Sequence, residues 1–184
     1  MPLDDLHLLL GIARGRDDCA RELWSRHGAG LTALARANVG EHAASDVVQC
    51  ALCRVLEISY SRLREIENVP AWLATLVRRE SANHMRSERR RRQRDQVPRA
   101  NAQCKAFPLE PDRLWDSVDR LPRRLREIIV LKLIAGLTFD QLSIALGLNK
   151  NTAAARYRAA LESLRASVGQ SGHELSIGGS AYGS

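Results

Sequence analysis

The chain has 184 residues, 45% of them apolar, enough for one medium domain or two small ones with a soluble core. No run of about 18 apolar residues occurs, and no basic segment precedes an apolar one at the start, so neither a membrane span nor a signal peptide is read and a cytoplasmic protein is expected. The net charge of +7 is unevenly held: residues 1–85 carry 10 basic and 11 acidic side chains, residues 86–105 carry 8 and 2, and residues 106–184 carry 10 and 8. A basic stretch of this kind fits a solvated linker, and it fits equally well a segment past which a polyanion runs.

Four cysteines, Cys19, Cys50, Cys53 and Cys104, are expected as thiols rather than as a disulfide framework. The first helix is predicted over residues 3–14, with Leu6, Leu9, Leu10 and Ala13 on one face and Gly15 at its end. Asp17 or Asp18 is expected to cap the second, which carries Leu23, Trp24, Leu31 and Leu34 inward. Spacing places Trp24 in the core rather than on a stacking platform. Gly28 and Gly30 each weaken this helix by roughly 1 kcal/mol relative to Ala, so it must depend on packing. A third helix over residues 43–58 turns Val47, Val48, Ala51, Leu52, Val55 and Leu56 inward and Asp46, Gln49, Arg54 and Glu57 outward.

Cys50 and Cys53 are spaced as CxxC, but zinc needs about four ligands and no second CxxC or paired-histidine motif is present. A catalytic CxxC also belongs at a helix start rather than within a helix. No metal, cofactor or catalytic residue is therefore assigned. A polar loop over residues 59–69 precedes Pro70, which suits the first turn of a fourth helix. That helix begins with apolar Trp72, Leu73, Leu76 and Val77, acquires Arg78, Arg79, Asn83 and Arg86, and ends in the run RSERRRRQR. Such a progression describes either a nucleic-acid surface or a solvated amphipathic helix end.

The segment 95–111 contains prolines at 98, 108 and 111 and no sustained period, which reads as a linker. Beyond it, Leu114, Trp115, Val118 and Leu121 form a short apolar face. After Pro122, Leu125, Ile128, Ile129, Leu131 and Leu133 form another, ended by Gly136. In GLTFDQLSIALGLNKNTAAARYRAAL, Thr138 caps a short helix, Gly147 gives a sharp turn, and Asn149 caps the helix that follows. Lys150, Asn151 and Thr152 open that second helix and would reach base edges or phosphates from a major groove, with small Ala153, Ala154 and Ala155 allowing close approach. An ordinary helical hairpin has the same local pattern. The expected architecture is all-α: a helical domain over 1–94, a linker over 95–111, a helix-turn-helix domain over 112–168 and a disordered tail over 169–184.

Three stretches together resemble the extracytoplasmic-function (ECF) sigma factors of bacterial RNA polymerase, within the sigma-70 superfamily. ASDVVQCALCRVLE is similar to the family's region 2.2, VPAWLATLVRRESANHMRSERRRR to regions 2.3 and 2.4, and LPRRLREIIVLKLIAGLTFDQLSIALGLNKNTAAARYRAALESLR to region 4. The resemblance implies a non-enzymatic initiation subunit that binds core polymerase and reads a promoter at two elements. It implies contact with the beta-prime clamp helices through Asp46, Gln49, Cys50 and Arg54, and with the beta flap. It implies −10 DNA contact through Tyr60, Asn68, Arg78, Arg79, Asn83, Arg86, Arg89 and Arg90, where captured bases offset the cost of unstacking. For the −35 element it implies Lys150 and Asn151 nearest the bases, with Thr152, Arg156 and Arg158 toward phosphates. An anti-sigma factor is a further partner of the class.

The chain departs from the family at several positions. Cys50 stands where an acidic residue is usual and Leu52 where an aromatic is, which bears on clamp affinity. Arg79 and Asn83 replace an Asn and an Asp, which predicts stronger phosphate attraction and an altered −10 preference. No counterpart of regions 1.1 or 3 is found. A rival reading is a stand-alone helix-turn-helix regulator that needs no polymerase.

Overall fold

The computed structural model describes the backbone of residues 4–95 and 111–174 and the side chains of residues 4–94 and 115–166. Among them the chain is entirely helical, in the order α1 (Asp5–Ile12), α2 (Asp17–Val39), α3 (Glu41–Glu57), α4 (Tyr60–Leu63), α5 (Val69–Asp95), α6 (Pro111–Arg120), α7 (Arg123–Leu133), α8 (Phe139–Leu146) and α9 (Lys150–Glu174). The all-α expectation holds. Helix ends shift from those predicted. Asp4 caps α1 by accepting from the His7 amide, so the helix starts at Asp5 rather than at residue 3. Asp17 and Asp18 lie inside the first turn of α2, where their charge still favours the positive helix end. Gly40 precedes α3, which starts at Glu41 rather than at residue 43. The helix α9 continues to Glu174, past the point where a disordered tail was expected; residues 175–184 of that tail and Cys104 of the linker lie outside the described residues.

In the N-terminal half, α2 is the central element. It packs on α1, α3 and α5, and its inner face (Leu23, Leu31, Leu34, Ala35) is buried together with Leu8 and Leu9 of α1, Val47 and Val48 of α3, and Leu73 and Val77 of α5. Each leucine or valine among these contributes roughly 1.5–3 kcal/mol by leaving water. In the C-terminal half, Ile128, Val130 and Leu131 of α7, Leu142 of α8, and Ala153 and Ala160 of α9 are buried against one another. The two halves do not stand apart: α2 packs on α7 and α5 on α8, so that the buried apolar residues form one continuous cluster.

Several predicted core positions are at the surface instead. Trp24 is 45% exposed, because its ring lies back along α2 over Gly28, where an added Cβ would meet ring carbons at 2.6–3.0 Å. The glycine that looked like a defect provides the bed for the indole. Gly30 does the same for a neighbouring segment, its missing side chain leaving room for Ala135, whose Cα and Cβ would lie 2.7 Å from a Cβ at position 30. Leu52, Leu56 and Leu133 are likewise exposed. Helical spacing selects a stripe, but the partner helices cover only part of its width.

Candidate nucleic-acid interface

The helix-turn-helix is built by local signals that act independently. Thr138 and Gln141 form a reciprocal capping box, with Gln141 N donating to Thr138 Oγ1 at 3.2 Å and Thr138 N to Gln141 Oε1 at 2.8 Å. Gly147 closes α8 in the left-handed region at φ +64°, which a Cβ would disfavour. Asn149 caps α9 by accepting from Thr152 N at 2.7 Å. Ring contact between Phe139 and Tyr157, edge to face with centroids 5.9 Å apart, fixes one helix on the other.

This arrangement leaves Lys150, Asn151 and Thr152 exposed together on the first turn of α9. Lys150 Nζ lies 2.9 Å from the Asp140 carboxylate, an exposed ion pair that phosphate can displace. Arg156 is half-buried and Arg158 exposed on the same helix. The alanines divide. Ala153 is fully buried in the core and Ala155 is exposed, so the first of them serves packing rather than close approach to a ligand.

The second basic surface is the C-terminal half of α5. Asn68 starts this helix as its cap, accepting from Ala71 N at 3.1 Å, so its carbonyl oxygen is engaged within the fold. Arg79, Arg86, Arg89 and Arg90 are exposed. Asn83 is held in a short relay, donating to Glu80 at 3.2 Å and accepting from Arg86 at 2.6 Å. Arg78 points elsewhere: Nη1 donates to the carbonyl of Ala145 at 2.6 Å, and Nε lies 3.4 Å from Glu127. Tyr60 sits at the start of α4, its hydroxyl accepting from Arg14 at 2.6 Å with the Arg14 guanidinium 4.9 Å from its ring centroid.

On α3, Asp46, Gln49, Cys50 and Arg54 are all exposed. Arg54 bonds Glu57 at 2.6 Å and lies 3.8 Å from Glu80 of α5, and the Glu57 hydrogen bond holds its guanidinium above the ordinary arginine value. What sequence reading missed here is the apolar component. Gln49, Leu52, Cys53 and Leu56 recur at one helical face and are exposed together, so polar and apolar groups share one exposed strip. The signal was present, since a stripe too wide for its partner helices must surface somewhere. Cys19 is a buried free thiol, and Cys50 and Cys53 are exposed free thiols. Among the described residues no group of three or more His, Cys, Asp and Glu side chains is placed to hold a metal ion, and no helix is long and apolar enough to cross a membrane.

A capped helix-turn-helix with an exposed polar first turn is packed beside a long helix that ends in arginines, so that the described residues form an all-helical body with two exposed polar and basic surfaces. Residues 112–164 match the family described as Sigma-70, region 4. The fold of most of the chain is shared with solved structures. One is CnrH, seen in complex with the cytosolic domain of CnrY (24% identity, TM-score 0.64, 90% of this chain and 97% of that one). Another is the sigma factor RpoE of Bartonella quintana, seen with the anti-sigma factor NepR (24% identity, TM-score 0.63, 80% of this chain and 94% of that one). No curated protein matches the chain in sequence.

Proposed function

We propose that the chain is an ECF-type sigma factor: a subunit without catalytic activity of its own that binds core RNA polymerase and directs initiation at promoters carrying −10 and −35 elements. The observation that carries this reading is the region 4 domain at residues 112–164, joined to a helical unit in the fold of a sigma factor. The exposed strip on α3 suits a protein contact, since it combines an apolar centre at Leu52 and Leu56 with Asp46, Gln49 and Arg54 around it. The arginine-bearing end of α5 suits the −10 strand, and the first turn of α9 suits the −35 major groove. CnrH and RpoE were each seen with a protein partner, which supports an anti-sigma factor as a partner here as well.

The test is transcription by core polymerase supplemented with this chain on a pool of bacterial promoter fragments, followed by sequencing of the transcripts. A shared pair of upstream elements in the selected templates is the expected result. Failure to co-purify with core polymerase, together with tight duplex binding by the free protein, would instead favour a stand-alone regulator.

A further inference from the structure

The CxxC of α3 has no part in the proposed promoter contacts. Cys50 and Cys53 stand three residues apart, and both are exposed free thiols. Three residues is close to one helical turn, so the two side chains share a face with Cβ atoms about 5–6 Å apart. The opposite face of the same turns is fixed, with Val48, Ala51 and Val55 buried in the core. Leu52 and Leu56 are exposed next to the pair, and Gln49 and Arg54 adjoin it. A thiol pair therefore sits within the mixed strip that α3 turns to solvent. Cys19 differs, being buried with its sulfur packed against Gly11. Two sulfurs fall short of the roughly four ligands of a structural zinc site, and no third His, Cys, Asp or Glu among the described residues is placed to join them. Oxidation needs only the two.

We propose that Cys50 and Cys53 are a reversible oxidation site: a hydroperoxide converts the pair to a disulfide, and the new bond deforms the strip so that it no longer docks a protein. One thiolate attacks an oxygen of the peroxide. The O–O bond breaks, an S–O bond forms, and the departing oxygen takes up a proton and leaves as an alcohol, or as water from hydrogen peroxide. The second thiolate attacks the sulfenic acid so formed, the S–S bond closes, and hydroxide takes up the other thiol proton and leaves as water. The two thiols lose two electrons and the peroxide gains them. Because the second thiol is one turn away, it captures the sulfenic acid before further oxidation. Closure has a structural cost. A disulfide brings its Cβ atoms to about 3.5–4.5 Å, so positions i and i+3 of a regular helix must approach by about 1 Å or more. With Val48, Ala51 and Val55 anchored in the core, that shift falls on the outer side of α3, where Leu52 lies between the two thiols. A strained disulfide is readily reduced, which makes the change reversible. The oxidation stands apart from the sigma-factor reading; its consequence, loss of polymerase docking, rests on it.

The experiment uses the full chain, first reduced and then exposed to hydrogen peroxide, with the excess removed by catalase. Trypsin releases residues 37–54 as one peptide that holds both thiols and no other cysteine. From the oxidised chain this peptide should be lighter by two hydrogen atoms and should resist alkylation until a dithiol reductant is added. Cys53→Ser should abolish that change, and Cys104→Ser should leave it in place. Capture of core polymerase is then compared within each protein, oxidised against reduced. Oxidation should weaken capture by about tenfold or more in the wild type and in Cys104→Ser, the loss of one well-packed anchor, and by less than about twofold in Cys53→Ser. The reductant should restore it. A sulfinic acid on either thiol, or a bond from either to Cys104 or to a second chain in place of the internal one, would overturn the site. A closed pair with equal capture in both states would overturn its effect on docking. A closed pair in a chain that captures no polymerase even when reduced would uphold the site and overturn the sigma-factor reading.

Discussion

The two surfaces proposed to meet nucleic acid differ in kind. The first turn of α9 presents a lysine, an amide and a hydroxyl, and its lysine is already paired with Asp140. The end of α5 presents Arg86, Arg89 and Arg90 on exposed positions, within the stretch that holds most of the excess charge. Few neutral groups fixed by a cap can discriminate bases but attract little; clustered guanidinium groups attract any phosphate chain and discriminate little. On the proposed function, the difference places affinity and selectivity on separate halves of one chain. They also rest on different foundations, since local caps define the helix-turn-helix while the α5 surface is held by a core assembled from distant helices.

That contrast is open to direct attack. The largest effect is expected for Leu34→Ala, which empties the centre of the N-terminal core and should cost about 2–5 kcal/mol in denaturant unfolding. A much smaller loss would mean that the N-terminal half does not depend on packing as described. Next comes the double change Arg89→Gln and Arg90→Gln, which should lower the slope of log affinity against log salt by about 1.8 irrespective of DNA sequence; an unaltered slope would return these arginines to the solvent. Replacing Asn151 by Ala should reduce discrimination at the upstream element by about 1–3 kcal/mol, as read from binding to single-base variants of the site, with little change in salt dependence. The smallest effect belongs to Thr138→Ala, which removes half of the capping box and should lower thermal stability by about 1 kcal/mol. A loss as large as that of Leu34→Ala would erase the distinction between the two halves.

The same distinction explains what could be read before the structure. The Thr138 cap, the left-handed Gly147 and the Asn149 cap each act within a few residues, so sequence pattern suffices to find them. The all-helical class and the outward face of α3 were equally legible, because a 3.6-residue period is a property of one helix alone. Trp24, Leu52 and Leu56 were misplaced because their burial depends on how far a neighbouring helix reaches, which no local pattern records. Gly30 and Arg78 lay further from view still. Ala135 is more than 100 residues from Gly30, and Ala145 is separated from Arg78 by 67. The glycine read as a cost and the arginine read as a DNA contact are both explained by partners that only the fold brings near.

The stacking of Arg36 on Trp115 has a spectroscopic consequence. An indole held between α2 and α6 beneath a guanidinium emits in a partly shielded environment, whereas the same ring released into water shifts its emission toward the red. Trp24, already half in solvent, lines the same cleft, so two of the three tryptophans report on the contact between α2 and α6. No label is needed: a change in tryptophan emission on mixing with DNA or polymerase would report a rearrangement at the α2–α6 contact, and an unchanged spectrum would mean that the contact persists.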